Sequence, residues 1–292
     1  MEKVITIKKN IVFGQTDKEF LTADVYMPQG GCANLPAVIL IHGGAFQSGS
    51  KEMYQDWGRY LAESGFVAMA INYRLATEKY PIWPGVMDDI QAAVNWLVSK
   101  SSDWGIEPQR IGLIGDSAGA YLATQYSLQN PANASFKIRA VVNVYGVYDW
   151  EKEWENSRDM TQRYFGKSYS EAKEEFRIAS PINLIESAVN NSVFDTSYFV
   201  IWGNTDKVAH PSHSEELVEK LEENGIDTRK IIIPDKGHFW FNIIPGLEGG
   251  TVQDYPNNEI APLIIKFLYE TLCIPIVGNF ATSRIQTLKT LL

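Results

Sequence analysis

Ser117 sits at the centre of Gly115-Asp-Ser-Ala-Gly119, between the apolar run Arg110-Ile-Gly-Leu-Ile114 and the helix-prone stretch Tyr121-Leu-Ala-Thr-Gln-Tyr-Ser-Leu128. The pattern reads as strand, sharp turn and helix. A serine presented on a strained turn at the carboxyl end of a sheet needs glycines on either side, because larger side chains would collide with neighbouring backbone. The chemistry is nucleophilic attack by the Ser117 hydroxyl. The pentapeptide alone also fits an ordinary loop, so the assignment depends on its partners.

A serine hydroxyl is a poor nucleophile at neutral pH and needs a histidine base, itself oriented by an acid. The chain has four histidines. His42 lies far upstream in Ile41-His-Gly-Gly-Ala45, and His210 and His213 fall in a turn containing Pro and Ser and at the start of a helical pattern. His238, in Pro234-Asp-Lys-Gly-His-Phe239, directly follows the strand-like Arg229-Lys-Ile-Ile-Ile233 and is the candidate base. Where a G-x-S-x-G turn carries a nucleophile, the acid and then the histidine follow it along the chain. Asp206 meets this best, on the turn Gly203-Asn-Thr-Asp206 after the buried strand pattern Ser197-Tyr-Phe-Val-Ile-Trp202. Asp195, Asp227 and Asp235 read as solvated turn residues.

The negative oxygen of a tetrahedral intermediate needs backbone N–H donors. His42-Gly-Gly-Ala-Phe46 follows the short apolar strand Ala37-Val-Ile-Leu-Ile41, and its glycines let amides approach a substrate. The expected donors are Gly43, Gly44 and Ala118, the residue after the nucleophile. His42 is expected to organise this loop, and Asp116 to be a buried hydrogen-bonding partner.

These motifs resemble the HGG-type serine esterases of the α/β-hydrolase superfamily, near the hormone-sensitive-lipase-like carboxylesterases and the small bacterial carbohydrate-ester and feruloyl-type esterases. Ile71-Asn-Tyr-Arg-Leu75 and Trp104-Gly-Ile-Glu-Pro-Gln-Arg-Ile111 add to the likeness, which runs from about Val25 to about Leu272. In two places the chain departs from the pattern. Ala45 stands where a third glycine is common, and the acid sits in Gly-Asn-Thr-Asp instead of Asp-Pro-Leu. The second departure points towards the carbohydrate-esterase side. The resemblance implies an α/β-hydrolase fold and ester hydrolysis without a cofactor.

The elements that must position these residues alternate as in a mostly parallel, eight-stranded sheet covered by helices on both faces. Strands are expected near Val4 to Lys8, Leu21 to Tyr26, Val38 to Ile41, Val67 to Ile71, Ile111 to Ile114, Ala140 to Tyr145, Ser197 to Trp202 and Lys230 to Ile233. The first two should form an antiparallel edge. Helices fit near Met53 to Ser64, Met87 to Ser99, Ala118 to Gln129, His213 to Asn224 and Asn258 to Leu272. Asp88 and Asp89 are expected to serve helix-start and turn contacts. No repeat or linker interrupts the pattern, so residues 1–292 are read as one domain.

Residues 148–194 depart from this alternation, being charged and aromatic without a clean strand. The resemblance implies a lid over the nucleophile; a pair of surface helices packed on the core fits the sequence equally. Phe46, Trp83, Trp150, Trp154, Phe239 and Trp240 are the candidate pocket residues, suiting an apolar or aromatic acyl pocket or a sugar-stacking platform. Residues 274–292 extend past the last helix the fold needs. Ile285, Leu288, Leu291 and Leu292 recur there at roughly helical spacing, leaving intramolecular packing, a homodimer contact or disorder open.

Composition sets outer limits. With 45% hydrophobic and 12% aromatic residues in 292, the chain can bury a sizeable core. A formal net charge of −9 argues against nucleic acid or an anionic membrane as partner. No apolar run approaches the roughly 20 residues that cross a bilayer, and the amino terminus lacks a signal-peptide pattern, so a cytoplasmic location is expected. Cys32 and Cys273 are expected as free thiols. No metal is expected, since the four histidines lack ligand spacing such as H-E-x-x-H.

The resulting expectation is hydrolysis of a small-molecule ester through a serine acyl-enzyme. Aryl formamide cleavage or acyl transfer on the same residues are alternatives. A non-catalytic receptor is the remote one, made less apt by the presence of His238.

Overall fold

The computed structural model describes residues 4–30, 33–133, 135–273 and 284–285. Its centre is one twisted sheet. The strands are β1 (Ile5–Gln15), β2 (Phe20–Pro28), β3 (Leu35–Ile41), β4 (Val67–Ile71), β5 (Ile106–Asp116), β6 (Ile138–Val144), β7 (Ser197–Gly203), β8 (Thr228–Ile233) and the two-residue β9 (Arg284–Ile285). They lie in the order β1-β2-β4-β3-β5-β6-β7-β8-β9. β2 runs antiparallel to both neighbours, β1 and β4, and every other pairing is parallel. The antiparallel edge is therefore as expected. β9 makes the sheet one strand larger than the eight expected, and Ile285 joins that strand, not a helix. The rest of the expected tail pattern, with Leu288, Leu291 and Leu292, and Cys32, lies outside the described residues.

Parallel strands need crossovers, and helices supply them on both faces. The helices are α1 (Gln55–Glu63), α2 (Gly85–Ser99), α3 (Ser101–Trp104), α4 (Ala118–Gln129), α5 (Trp150–Asn156), α6 (Arg158–Phe165), α7 (Lys173–Ala179), α8 (Ile185–Val189), α9 (Pro211–Glu223) and α10 (Asn257–Leu272). α1 and α10 meet on one face, where the Tyr269 hydroxyl donates to the Ser64 carbonyl and the Phe66 and Tyr269 rings lie 5.1 Å apart. α2 packs on α4 on the other face, and α4 and α9 both reach the turn Pro181–Asn183. Runs such as Val67-Ala-Met-Ala-Ile71 are buried at every position, as a strand covered on two faces requires. No helix among the described residues is long and apolar enough to cross a membrane.

The region expected as a lid or surface helices holds α5 to α8, of which α5, α6 and α7 are joined by aromatic stacking. Trp150 stacks on Tyr164 at 4.7 Å and Phe165 on Phe176 at 4.0 Å. The Tyr164 hydroxyl donates to that of Tyr121 on α4 at 3.2 Å, and the Tyr164 carbonyl accepts from the amides of Ile82 and Trp83. A buried contact between His213 Nε2 and Glu153 Oε2 at 3.3 Å joins α5 to α9. The insertion is packed onto the core through both side chains and backbone.

Candidate active site

The turn that carries Ser117 follows from close backbone approaches. A Cβ on Gly119 would lie 1.9 Å from the Ile41 carbonyl oxygen, and one on Gly115 would lie 2.2 Å from that of Gly119. Only glycine allows β5, β3 and α4 to converge there. Ser117 itself adopts φ 49° and ψ −119°, a strained conformation costing on the order of 1–3 kcal/mol. Its amide donates to the Val144 carbonyl at 2.8 Å, and its carbonyl accepts from Ala120 and Tyr121. The hydroxyl therefore stands at the amino terminus of α4, whose dipole favours negative charge.

Asp206 and His238 come together because two loops are laced at the ends of β7 and β8. The Asn204 amide donates to the Ile233 carbonyl at 3.1 Å, the Thr205 amide to the Lys236 carbonyl at 3.0 Å, and the Asp235 amide to Asn204 Oδ1 at 2.8 Å. Gly203 permits this crossing, since a Cβ there would fall 2.1 Å from the Lys236 oxygen. Asp206 Oδ1 accepts from the Val208 and Ala209 amides, which fixes the carboxylate and leaves Oδ2 facing His238. His238 Nδ1 lies 2.6 Å from Asp206 Oδ2, and Nε2 lies 2.9 Å from Ser117 Oγ. With Nδ1–H donated to the carboxylate, Nε2 is left as an acceptor facing the Ser117 hydroxyl.

Two aromatic rings contact the imidazole. Tyr145 lies 4.2 Å from it, tilted by 48°, and Phe239 meets it edge-on at 4.6 Å. The Tyr145 hydroxyl also accepts from the Phe241 amide at 3.2 Å, tying the end of β6 to the segment that carries His238.

The loop expected to supply oxyanion donors departs from that expectation at Gly43. The Gly43 amide donates to Asp116 Oδ1 at 2.9 Å, so it is committed to that carboxylate. Among the described residues, the amides of Gly44, Ala45 and Ala118 donate to no protein group. Asp116 is a buried junction as expected: the same Oδ1 accepts from Tyr54 Oη at 2.9 Å and Asn242 Nδ2 at 2.8 Å. Burial raises its pKa to about 6 despite these bonds from Tyr54 and Gly43. His42 also takes its expected place in the loop. Its Nδ1–H donates to the Gly43 carbonyl at 2.7 Å, its ring stacks on Tyr73 at 4.4 Å, and burial lowers its pKa to about 4. Asp89, expected to serve helix-start and turn contacts, is instead buried within α2 and bonds the Arg74 amide and its guanidinium. Asp195, expected as a solvated turn residue, lies in a loop with its side chain 38% exposed and pairs there with Lys137 at 2.8 Å.

The candidate pocket residues separate by exposure. Phe46 and Trp150 are each 1% exposed and pack with Tyr121 and Tyr164. Trp240 is buried too, its Nε1–H donating to the Gly237 carbonyl. All three are packed within the fold. Trp83 and Trp154 are half-buried, Trp154 against Phe176, and Phe239 is exposed. Tyr54, Tyr145 and Asn242 were not legible as site residues: no motif surrounds them, and their partners are remote in sequence.

A family model described as BD-FAE matches residues 23–221. Esterase LipC of Mycobacterium tuberculosis (strain ATCC 25618 / H37Rv) is 28% identical over 232 residues, covering 74% of this chain and 55% of LipC. The chain spans about half the length of the curated relatives it matches. Among solved structures, a truncated carbohydrate esterase from gut microbiota has a TM-score of 0.73 at 20% identity, covering 92% of this chain and 98% of that one. The Est2 esterase of Thermogutta terrifontis has a TM-score of 0.71 at 19% identity, covering 95% of each chain. The architecture is thus that of the α/β-hydrolases. With the family model spanning more than half its length, the chain belongs to the BD-FAE family.

Proposed function

We propose that the protein is a serine-dependent carboxylic ester hydrolase acting on small-molecule esters. The observation that carries this reading is the chain of contacts from Ser117 Oγ through His238 to Asp206, at 2.9 and 2.6 Å. Ser117 Oγ attacks the ester carbonyl carbon while its proton passes to His238 Nε2. The carbonyl oxygen becomes an oxyanion at the Gly44 and Ala118 amides, close to the amino terminus of α4. The C–O bond to the alcohol then breaks, the imidazolium gives its proton to the departing oxygen, and the acyl group stays on Ser117. Water, deprotonated by His238, adds to the acyl-enzyme and releases the acid. Asp206 holds the Nδ1–H tautomer and stabilises the imidazolium.

The intact base in hydrogen-bonding reach of the serine also favours catalysis over a receptor role. The names of the relatives, esterases among them, are consistent with this. Turnover of p-nitrophenyl acetate by wild type beside Ser117→Ala tests the reading. Hydrolysis lost in the variant is expected; equal rates in both would overturn it.

A further inference from the structure

Residues 239 to 241 are three consecutive aromatics with different fates. Phe241 is fully buried and stacks on Trp57 at 4.5 Å, and Trp240 is anchored by its bond to the Gly237 carbonyl. Phe239 is 51% exposed, and it reaches that position only with φ 65°, a left-handed conformation uncommon for a bulky side chain. Strain of this kind persists where the surroundings over-determine it, often beside functional groups. Its ring meets the His238 ring at 4.6 Å with an interplanar angle of 87°. Phe239 is therefore an exposed aromatic side chain directly against the proposed base.

The reaction geometry gives this placement a meaning. When the tetrahedral intermediate collapses, the departing alcohol oxygen must lie within hydrogen-bond reach of His238 Nε2. The alcohol half is thereby brought to the His238 ring, against which the exposed Phe239 ring stands. Phe46, Tyr121, Trp150 and Tyr164 are each packed to 1% exposure or less and have no free face to offer a substrate.

We propose that Phe239 is the specificity element for the alcohol half of the ester, its exposed ring packing against the ring of a cyclic leaving alcohol. Aryl and sugar alcohols share the flat, partly apolar face this requires. As His238 delivers its proton to the alkoxide oxygen, the ring of the alcohol lies on Phe239 and the acyl group remains on Ser117. The proposal rests on the serine-esterase reading and narrows its substrate class.

The test holds the acyl group constant as acetate and varies the alcohol: ethyl acetate, benzyl acetate and methyl 6-O-acetyl-glucoside. Wild type is compared with Phe239→Asn, whose side chain tolerates the left-handed backbone, and with Phe239→Tyr, which keeps the ring. The readout is the ratio of kcat/KM for each cyclic ester to that for ethyl acetate, in which any common effect on His238 cancels. Phe239→Asn should lower at least one ratio about tenfold, as expected for loss of an aromatic contact, and Phe239→Tyr should restore it. A fall for the benzyl ester alone assigns an aryl alcohol, and a fall for the glucoside alone a sugar. Ratios unchanged in Phe239→Asn would overturn the proposal. Failure of the underlying reading is distinct, since wild type would then hydrolyse none of the esters or Ser117→Ala would retain activity.

Discussion

The Gly43 amide donates to Asp116 Oδ1 at 2.9 Å, fastening the loop that carries His42 and Gly44 to the residue that precedes Ser117. Tyr54 and Asn242 donate to the same oxygen, so one carboxylate atom joins that loop, the start of α1 and the segment after His238. Asparagine at this position retains an oxygen able to accept these bonds, and leucine retains none. Asp116→Asn should keep activity within about tenfold of wild type. Asp116→Leu should lose far more and unfold more readily, each buried donor left unpaired costing about 1–3 kcal/mol. Steady-state kinetics with urea unfolding of both variants checks this.

Asp116 also shapes the stability curve. Its pKa in the fold is raised by burial to about 6 from 3.8, so between these values the native state binds more protons than the unfolded chain. The stabilisation from this proton is fully present below pH 3.8 and lost as pH rises through about 6, on the order of 3 kcal/mol in all. Urea unfolding of wild type and Asp116→Asn across this window should give a stability difference that changes with pH by this order. A constant difference contradicts the assignment.

His42 acts in the opposite sense. Burial lowers its pKa to about 4 from 6.5, so the unfolded chain binds more protons in that window and stability falls as pH drops through it. The loss is again about 3 kcal/mol. Because the two windows overlap, wild type should show only a shallow net dependence from this pair. The steeper limbs should emerge separately in Asp116→Asn and His42→Asn, measured by urea unfolding at pH 4.5 and 7.

The lacing of the acid and base loops depends on Gly203. A side chain there meets the Lys236 carbonyl at 2.1 Å and must push the two loops apart. Gly203→Ala should therefore reduce kcat by about a hundredfold, the order expected when a reacting group is misplaced by about 1 Å. KM should change little. A variant with wild-type kcat would show that the loops adjust without disturbing the Asp206–His238 pair.

Asp206→Asn should keep the fold and lose about 10⁴-fold in kcat, because an amide facing Nδ1 favours the tautomer with its proton on Nε2, where it cannot accept from Ser117. Rapid acylation kinetics with p-nitrophenyl acetate checks this. A loss of less than tenfold would assign the acid role elsewhere.

Much of this site was legible because its parts are local. β4 and α4 fall within the residues read from sequence: an all-apolar run between turns can be little other than a buried strand, and the helix after the serine begins where the glycines release it. β1 runs on to Gln15 beyond the expected Lys8, through irregular pairing that breaks the alternation on which the reading relied. The insertion has four helices of five to eight residues, too short for a clear period and held by tertiary stacking. Gly43 was read as an oxyanion donor because a glycine amide can serve either purpose, and its carboxylate partner lies 73 residues away. Tyr54 and Asn242, 62 and 126 residues from Asp116, left no signal for the same reason.

The central claim is that Ser117 is a nucleophile activated by His238. Intact-mass and peptide-mass spectrometry after treatment with a fluorophosphonate reads this directly, since the reagent phosphonylates only an activated serine at useful rates. One adduct per chain is predicted, on the peptide containing Ser117, absent in Ser117→Ala and strongly slowed in His238→Ala. An adduct of equal yield in Ser117→Ala, or none on folded wild-type protein, would contradict the account.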